Sequence, residues 1–207
     1  MKDQPMTKTI KGIAAPLELA NVDTDVIMPK RFLITITREG LADGTFADLR
    51  FDNSGQPRPE FILNKTPWTK ATILVVGDNF GCGSSREHAV WGLRQLGIDA
   101  CIGTGFAGIF YDNARKNGLA LPIVSAEKRD ALLQYARSAS GAEISIQLES
   151  RTITAGQTSV PFEMDDATLT SLLRGRDDTL DSLDYAAAIR DFENGLDDRM
   201  RVSVMKS

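Results

Sequence analysis

The run ATILVVG at 71–77 constrains the fold most, because a continuous apolar, β-branched stretch is the signature of a strand buried on both faces. A glycine-rich turn follows it directly, and then SREHAVWGLRQLG (85–97), a helix closed by Gly97. The alternation continues. DACIG (99–103) predicts a second short strand and GIFYDNARKNG (108–118) a helix with a glycine stop. LALPIV (119–124) predicts a third strand and SAEKRDALLQYARS (125–138) a third helix. Such a β-α-β-α-β-α order implies a parallel sheet with right-handed crossovers.

The flanks read differently. KTIKGIAAPLELA (8–20) reads as a strand with breaks at Gly12 and Pro16, and NVDTDVIMPKRFL (21–33) as a turn entering a short apolar stretch. Residues 34–70 are rich in Gly, Pro, Asn and Asp and predict a long surface segment, of the kind that is functional or mobile in a compact domain. After Gly141 the period becomes two, so EISIQLE (143–149), RTITAG (151–156) and TSVPFEM (158–164) predict strands. DDATLTSLLRG (165–175) and LDYAAAIRDFENG (183–195) predict helices. The expected architecture is α/β, a parallel α/β core plus antiparallel strands, in a single domain over 1–207 with a helical extension at 176–207.

Composition removes several classes of function. A formal charge of -4 argues against a nucleic-acid partner. No apolar run approaches the ~18 residues of a membrane span, and MKDQPMTKTIKG lacks the apolar core of a signal peptide. Two cysteines, Cys82 and Cys101, make no disulfide framework, so a reducing, cytoplasmic setting is expected. His88 is the only histidine. Structural zinc needs about four Cys/His ligands and an iron–sulfur cluster several cysteines, so no metal is assigned to this chain alone.

The candidate functional centre is GDNFGCGSSREH (77–88). Gly81 and Gly83 free the backbone where a buried strand must reverse into a helix, and they permit close approach to main-chain N–H groups. Ser84, Ser85 and Arg86 fall at the expected helix N-terminus, which favours an anion. Arg86 adds a fork able to hold a carboxylate bidentately. A second reading stands beside this one: Ser84-x-x-Glu87 fits a capping box, with Ser84 merely closing the helix. The loop lacks the Gly-Lys-Ser/Thr of a P-loop and the Gly-x-Ser-x-Gly elbow of a hydrolase. His88 shares a helix with Ser84, a poor geometry for a triad base, and reads as structural. Cys82 reads as a small filler in a position that leaves its thiol open to reaction.

GDNFGCGSSREHAVWGL closely resembles the active-site loop of 3-isopropylmalate dehydratase small subunits, a family of the aconitase superfamily. NVDTDVIMPKRFL resembles the family's Asp-Thr-Asp segment, PEFILNK (59–65) its approach to the buried strand, and GFAGIFYDNARKNGLALPIV (105–124) its next helix and strand. The similarity runs over most of residues 8–175. It implies a swivelling β/β/α domain that docks on a large subunit carrying a [4Fe-4S] cluster. The implied reaction converts 2-isopropylmalate to 3-isopropylmalate by dehydration and rehydration, in leucine biosynthesis. Ser84 matches the residue that as alkoxide removes a proton from carbon. Arg86 matches the arginine on the substrate carboxylate, Ser85 a neighbouring hydroxyl contact, and Asp25 the active-site aspartate of the N-terminal segment. Without the family, Asp25 reads equally as a turn aspartate bonded to nearby backbone. Asp23 reads as a turn residue, and Lys30 and Arg31 either neutralise a dicarboxylate or are solvated surface charge.

The resemblance places substrate discrimination in a mobile segment within 32–50, where Phe32, Leu33, Ile34 and Leu41 are apolar candidates or ordinary core. RGRDDTLDSLDYAAA (174–188) departs from the family ending, which leaves open a related hydro-lyase acting on methylmalate or dimethylmalate. The rival class is a nicotinamide-dependent oxidoreductase. Gly103-Thr-Gly105-Phe-Ala-Gly108, with Glu127 about twenty residues on, formally matches the dinucleotide fingerprint. A non-catalytic interaction module is the third, if Ser84 proves dispensable.

Overall fold

The computed structural model describes residues 8–33, 40–84, 86–138, 142–174 and 185–195. Among these, six strands form one mixed sheet in the order β3-β2-β1-β4-β5-β6. β1 (Thr9–Leu17), β2 (Ile73–Val76) and β3 (Ala100–Ile102) run parallel. β4 (Glu143–Gln147), β5 (Thr152–Ala155) and β6 (Thr158–Pro161) form an antiparallel meander that joins β1 from its other side. The α/β class with a parallel core and added antiparallel strands is therefore as expected.

β1 joins the two halves and does not break at Gly12 or Pro16. Its first half pairs with β4, from Thr9↔Gln147 to Ile13↔Glu143, and its second with β2, from Ala14↔Ile73 to Leu17↔Val76. At Gly12 a Cβ would lie 2.0 Å from Thr72 Oγ1, so the glycine makes room for a neighbour rather than a break. The carbonyls of Ile13 and Leu17 accept from Thr72 and Gly77, which turns the odd residues toward β2. Pro16 faces the other way, and the N–H it lacks is not one the β2 ladder uses.

Ile73, Leu74, Val75 and Val76 are all fully buried and alternate between two cores, as the doubly covered strand requires. Leu74 and Val76 meet α4 (Glu87–Gln95) and α5 (Gly108–Lys116) through Val90, Leu93, Phe110 and Ala114. Ile73 and Val75 meet α6 (Ala126–Arg137) and α7 (Asp166–Arg174) through Leu132, Ala136 and Leu172. The expected strand at 119–124 is instead a pair of parallel bridges, Ala100↔Ala120 and Gly103↔Ile123. Pro122 cannot donate to a ladder. Ile123 also bridges Glu163 just beyond β6, so the sheet curls until this segment touches both of its edges.

The expected surface segment 34–70 is structured over its described part. Its short helices are α2 (Leu41–Gly44) and α3 (Ala47–Arg50), which follow α1 (Thr24–Ile27). Leu41, Phe46 and Leu63 are buried in the core shared with α4. Phe46 takes the left-handed backbone region at φ 54 and donates its N–H to Ile27, pinning the segment onto α1. Residues 34–39 lie outside the described residues. The C-terminal helix expected at 183–195 is observed as α8 (Ala186–Gly195); Leu183 and Asp184, like residues 196–207, are not described.

The turn after β2 is fitted to this core at Gly81. Its φ is 79, and a Cβ there would stand 2.4 Å from the Phe110 ring, which also packs edge-on against Phe80 at 5.8 Å. Gly81→Ala should therefore lower stability by about 1–3 kcal/mol, measured as a shift in denaturant midpoint at unchanged m-value; a midpoint equal to wild type would show the turn to be slack.

Candidate active site

The loops leaving the C-terminal ends of the parallel strands carry the candidate residues, the position where open α/β sheets bind ligands. They remain joined beyond the strands. Asn21 N–H donates to the Asp78 carbonyl at 2.9 Å, Gly81 N–H to Val22 at 2.7 Å and Thr24 N–H to Cys82 at 2.9 Å. A parallel bridge joins Asp23 to Cys82 and another joins Phe80 to Phe106, so all three loops at this edge interlock. Asn79 at φ 58 adds a side-chain bond to Asn21 at 2.9 Å.

Each residue of the Asp-Thr-Asp segment has a separate task. Asp23 caps α1 by accepting from Val26 N–H at 2.7 Å, so it is the turn residue it was expected to be. Thr24, 2% exposed, donates its hydroxyl to the Ser84 carbonyl at 2.9 Å. Asp25, in the first turn of α1, forms an ion pair with Arg86. The Arg86 side chain is 14% exposed and that of Asp25 40%, so the guanidinium is mostly enclosed while the carboxylate reaches the surface. The alternative reading of Asp25, a turn aspartate bonded to nearby backbone, gives way to this long-range pair.

Helix α4 starts later than expected. Its N-cap is Arg86, in extended conformation with no side-chain capping bond. The capping box at Ser84 and Glu87 is therefore absent: Glu87 instead accepts from Asn117 at 2.7 Å. Ser84 is exposed and lies two residues before that N-cap. Ser85 lies outside the described residues. His88 has its ring centroid 4.6 Å from that of Trp91, in keeping with a structural role. Arg31 is bonded to Asp48 at 2.6 Å on the surface, and Lys30 is exposed. Of the apolar candidates, Leu41 is core, Phe32 and Leu33 are half-buried against it, and Ile34 is not described.

Sequence reasoning missed the anchors behind the loop. Asp78 accepts from the Thr104 hydroxyl at 2.8 Å and pairs with Arg129 at 2.7 Å, and these partners hold its carboxyl below the usual carboxylate range. Thr104 and Phe106 of the glycine-patterned turn 103–108 are thus engaged in bracing the 77–83 turn. The bracing pairs are far apart in sequence and carry no local signature. Thr24 could have been noticed, since it sits between two aspartates already singled out.

No group of three or more His, Cys, Asp or Glu side chains among the described residues could hold a metal ion. Cys101 is fully buried in β3, where burial pushes its thiol up, and Cys82 is half-buried in the loop. Two such cysteines do not fit the ligand set of an iron–sulfur cluster. No helix among the described residues is long and apolar enough to cross a membrane.

Comparison with known proteins agrees with this geometry. The Aconitase C-terminal domain family matches residues 4–128. A 3-isopropylmalate dehydratase small subunit from Jannaschia sp. is 50% identical over 188 residues, covering 89% of this chain and 92% of that one. The small subunit from Sinorhizobium fredii is 48% identical, covering 91% and 95%. Small subunit 2 from Salmonella typhimurium is 46% identical, covering 90% and 89%. The crystal structure of a 3-isopropylmalate dehydratase from Methanocaldococcus jannaschii superposes with a TM-score of 0.64 at 28% identity, covering 89% of this chain and 99% of that one. The chain belongs to the family of 3-isopropylmalate dehydratase small subunits, within the aconitase C-terminal domain superfamily.

Proposed function

We propose that this chain is the small subunit of a 3-isopropylmalate dehydratase, contributing the proton-removing and carboxylate-binding half of a site completed by a large subunit. The observation that carries the proposal is the Asp25–Arg86 pair. It joins the N-terminal segment to the glycine-rich loop at the C-terminal edge of the sheet, with Ser84 exposed beside it. The names of the relatives support the same reading.

In this reading the substrate is a small dicarboxylic hydroxy acid. A guanidinium has five N–H donors in a fixed fork. Asp25 engages Nη1, which leaves donors for a substrate carboxylate and holds the fork at a set orientation. The Ser84 alkoxide takes the proton from the substrate carbon. The C–H electron pair becomes the C=C bond of isopropylmaleate as the C–O bond breaks and hydroxide leaves; water then adds back with the opposite regiochemistry. Nothing is oxidised or reduced overall. The family resemblance implies a [4Fe-4S] cluster on the large subunit, which would supply the Lewis acid for the departing hydroxyl. This chain's own share is to bind, orient and deprotonate. Ser85 is proposed as a further hydroxyl contact to the substrate.

The chain is proposed to act as a single swivelling unit over 1–207 in the cytoplasm, where a reducing environment suits its free thiols. Segment 32–50 is proposed to select the substrate side chain, with Phe32 and Leu33, but not the fully packed Leu41, available to face it. A preference for methylmalate or dimethylmalate is the competing specificity, carried by the divergent stretch 174–188.

The isolated chain should show no turnover of 2-isopropylmalate, and addition of the large subunit should restore it; turnover by the cluster-free chain alone would refute the division of labour. In the assembled enzyme, Arg86→Lys should lower kcat/KM by about ten- to a hundredfold, mostly through KM, because an ammonium cannot reproduce the fork. Steady-state kinetics at wild-type values would remove Arg86 from the carboxylate site.

A further inference from the structure

Among the described residues, the Ser84 carbonyl accepts no backbone bond from α4, and Ala89 N–H at the start of that helix donates to the Arg86 carbonyl instead. Upstream, Gly81 is fitted against Phe110, but Gly83, directly before Ser84, is exposed at φ 92 with no side chain to restrain it. Something outside the loop must set where the Ser84 hydroxyl points.

We propose that Thr24 is the positioning residue for Ser84. This rests on the assignment of Ser84 as the proton-removing group. Thr24 holds two loop carbonyls at once: its N–H donates to Cys82 at 2.9 Å and its hydroxyl to Ser84 at 2.9 Å. The two bonds bracket Gly83, whose would-be Cβ lies 3.3 Å from Asp23 Cβ and 3.7 Å from Thr24 Oγ1, so the bracketed peptide lies directly against the segment. Thr24 is itself fixed. It opens α1, where its carbonyl accepts from Met28 at 2.9 Å, and at 2% exposure its branched side chain has little rotamer freedom. Its N–H is one of those that a helix start leaves unpaired, free to be spent on another segment. The buried hydroxyl is thus a rigid donor aimed at the peptide carbonyl of the reacting residue. Fixing that carbonyl fixes the Ser84 backbone, and through it the direction of a side chain only one torsion long.

The test uses the enzyme assembled with its large subunit and compares Thr24→Val, which keeps the shape and removes the donor, with Thr24→Ser, which keeps the donor, and with Ser84→Ala as reference. Thr24→Val should lower kcat by about ten- to a hundredfold with KM within about twofold, since substrate binding does not pass through Ser84. Thr24→Ser should recover most of the lost turnover, and both variants should assemble with the large subunit as wild type does. If Thr24→Val does not assemble, Thr24→Ala replaces it as the donor-free variant. Wild-type kcat in the donor-free variant beside an inactive Ser84→Ala enzyme would overturn the positioning role alone. So would Thr24→Ser as impaired as Thr24→Val, which assigns the effect to the methyl group. Near-wild-type turnover by Ser84→Ala would overturn the underlying assignment as well.

Discussion

The parallel pairing of β1 with β2 does not stop where the strands stop, and the candidate site depends on that. Past Leu17 and Val76 the chains diverge in secondary structure but stay bonded, through Asn21 to Asp78, Gly81 to Val22 and Thr24 to Cys82. Two loops that would each be loose become one surface. A serine on a glycine-rich loop and an arginine at a helix end are then held by a segment sixty residues away in sequence. That coupling is what would let the turn serve as half of the proposed active site.

The buried strand at 71–77 and the alternation that follows it were legible because they rest on local rules of burial period and glycine stops. The failures share a cause. Pro16 and Gly12 read as breaks because propensity treats a residue without its neighbours; in the sheet, one faces away from the β2 ladder and the other makes room for Thr72. Residues 119–124 read as a strand by apolarity, but Pro122 leaves only bridges to β3. Segment 34–70 read as surface from its Gly, Pro and Asn content, while Leu41, Phe46 and Leu63 give it a core face. Within the site, Asp25 was singled out by resemblance and Arg86 already by its fork, but their pairing is a tertiary fact, as are the Thr24 bonds.

The chemistry divides along the same line as the ligands. The chain offers an exposed hydroxyl, an enclosed guanidinium and a carboxylate, groups suited to a carbon acid flanked by carboxylates. Its two cysteines do not make a cluster site, so the proposed Lewis acid comes from the partner. In the proposed split site each half would be inert when free, and the enclosed Arg86, already oriented by Asp25, would enter the assembly preorganised.

The central claim is that the N-terminal segment and the glycine-rich loop act on the substrate as one unit. A double-mutant cycle on kcat/KM in the assembled enzyme, with Asp25→Asn and Arg86→Lys, tests it most directly. If Asp25 works by orienting Arg86, the double variant should be little worse than the weaker single variant, a coupling of about 1–3 kcal/mol. Losses that simply multiply would mean that the two residues act independently, and the account of a joined site would fail.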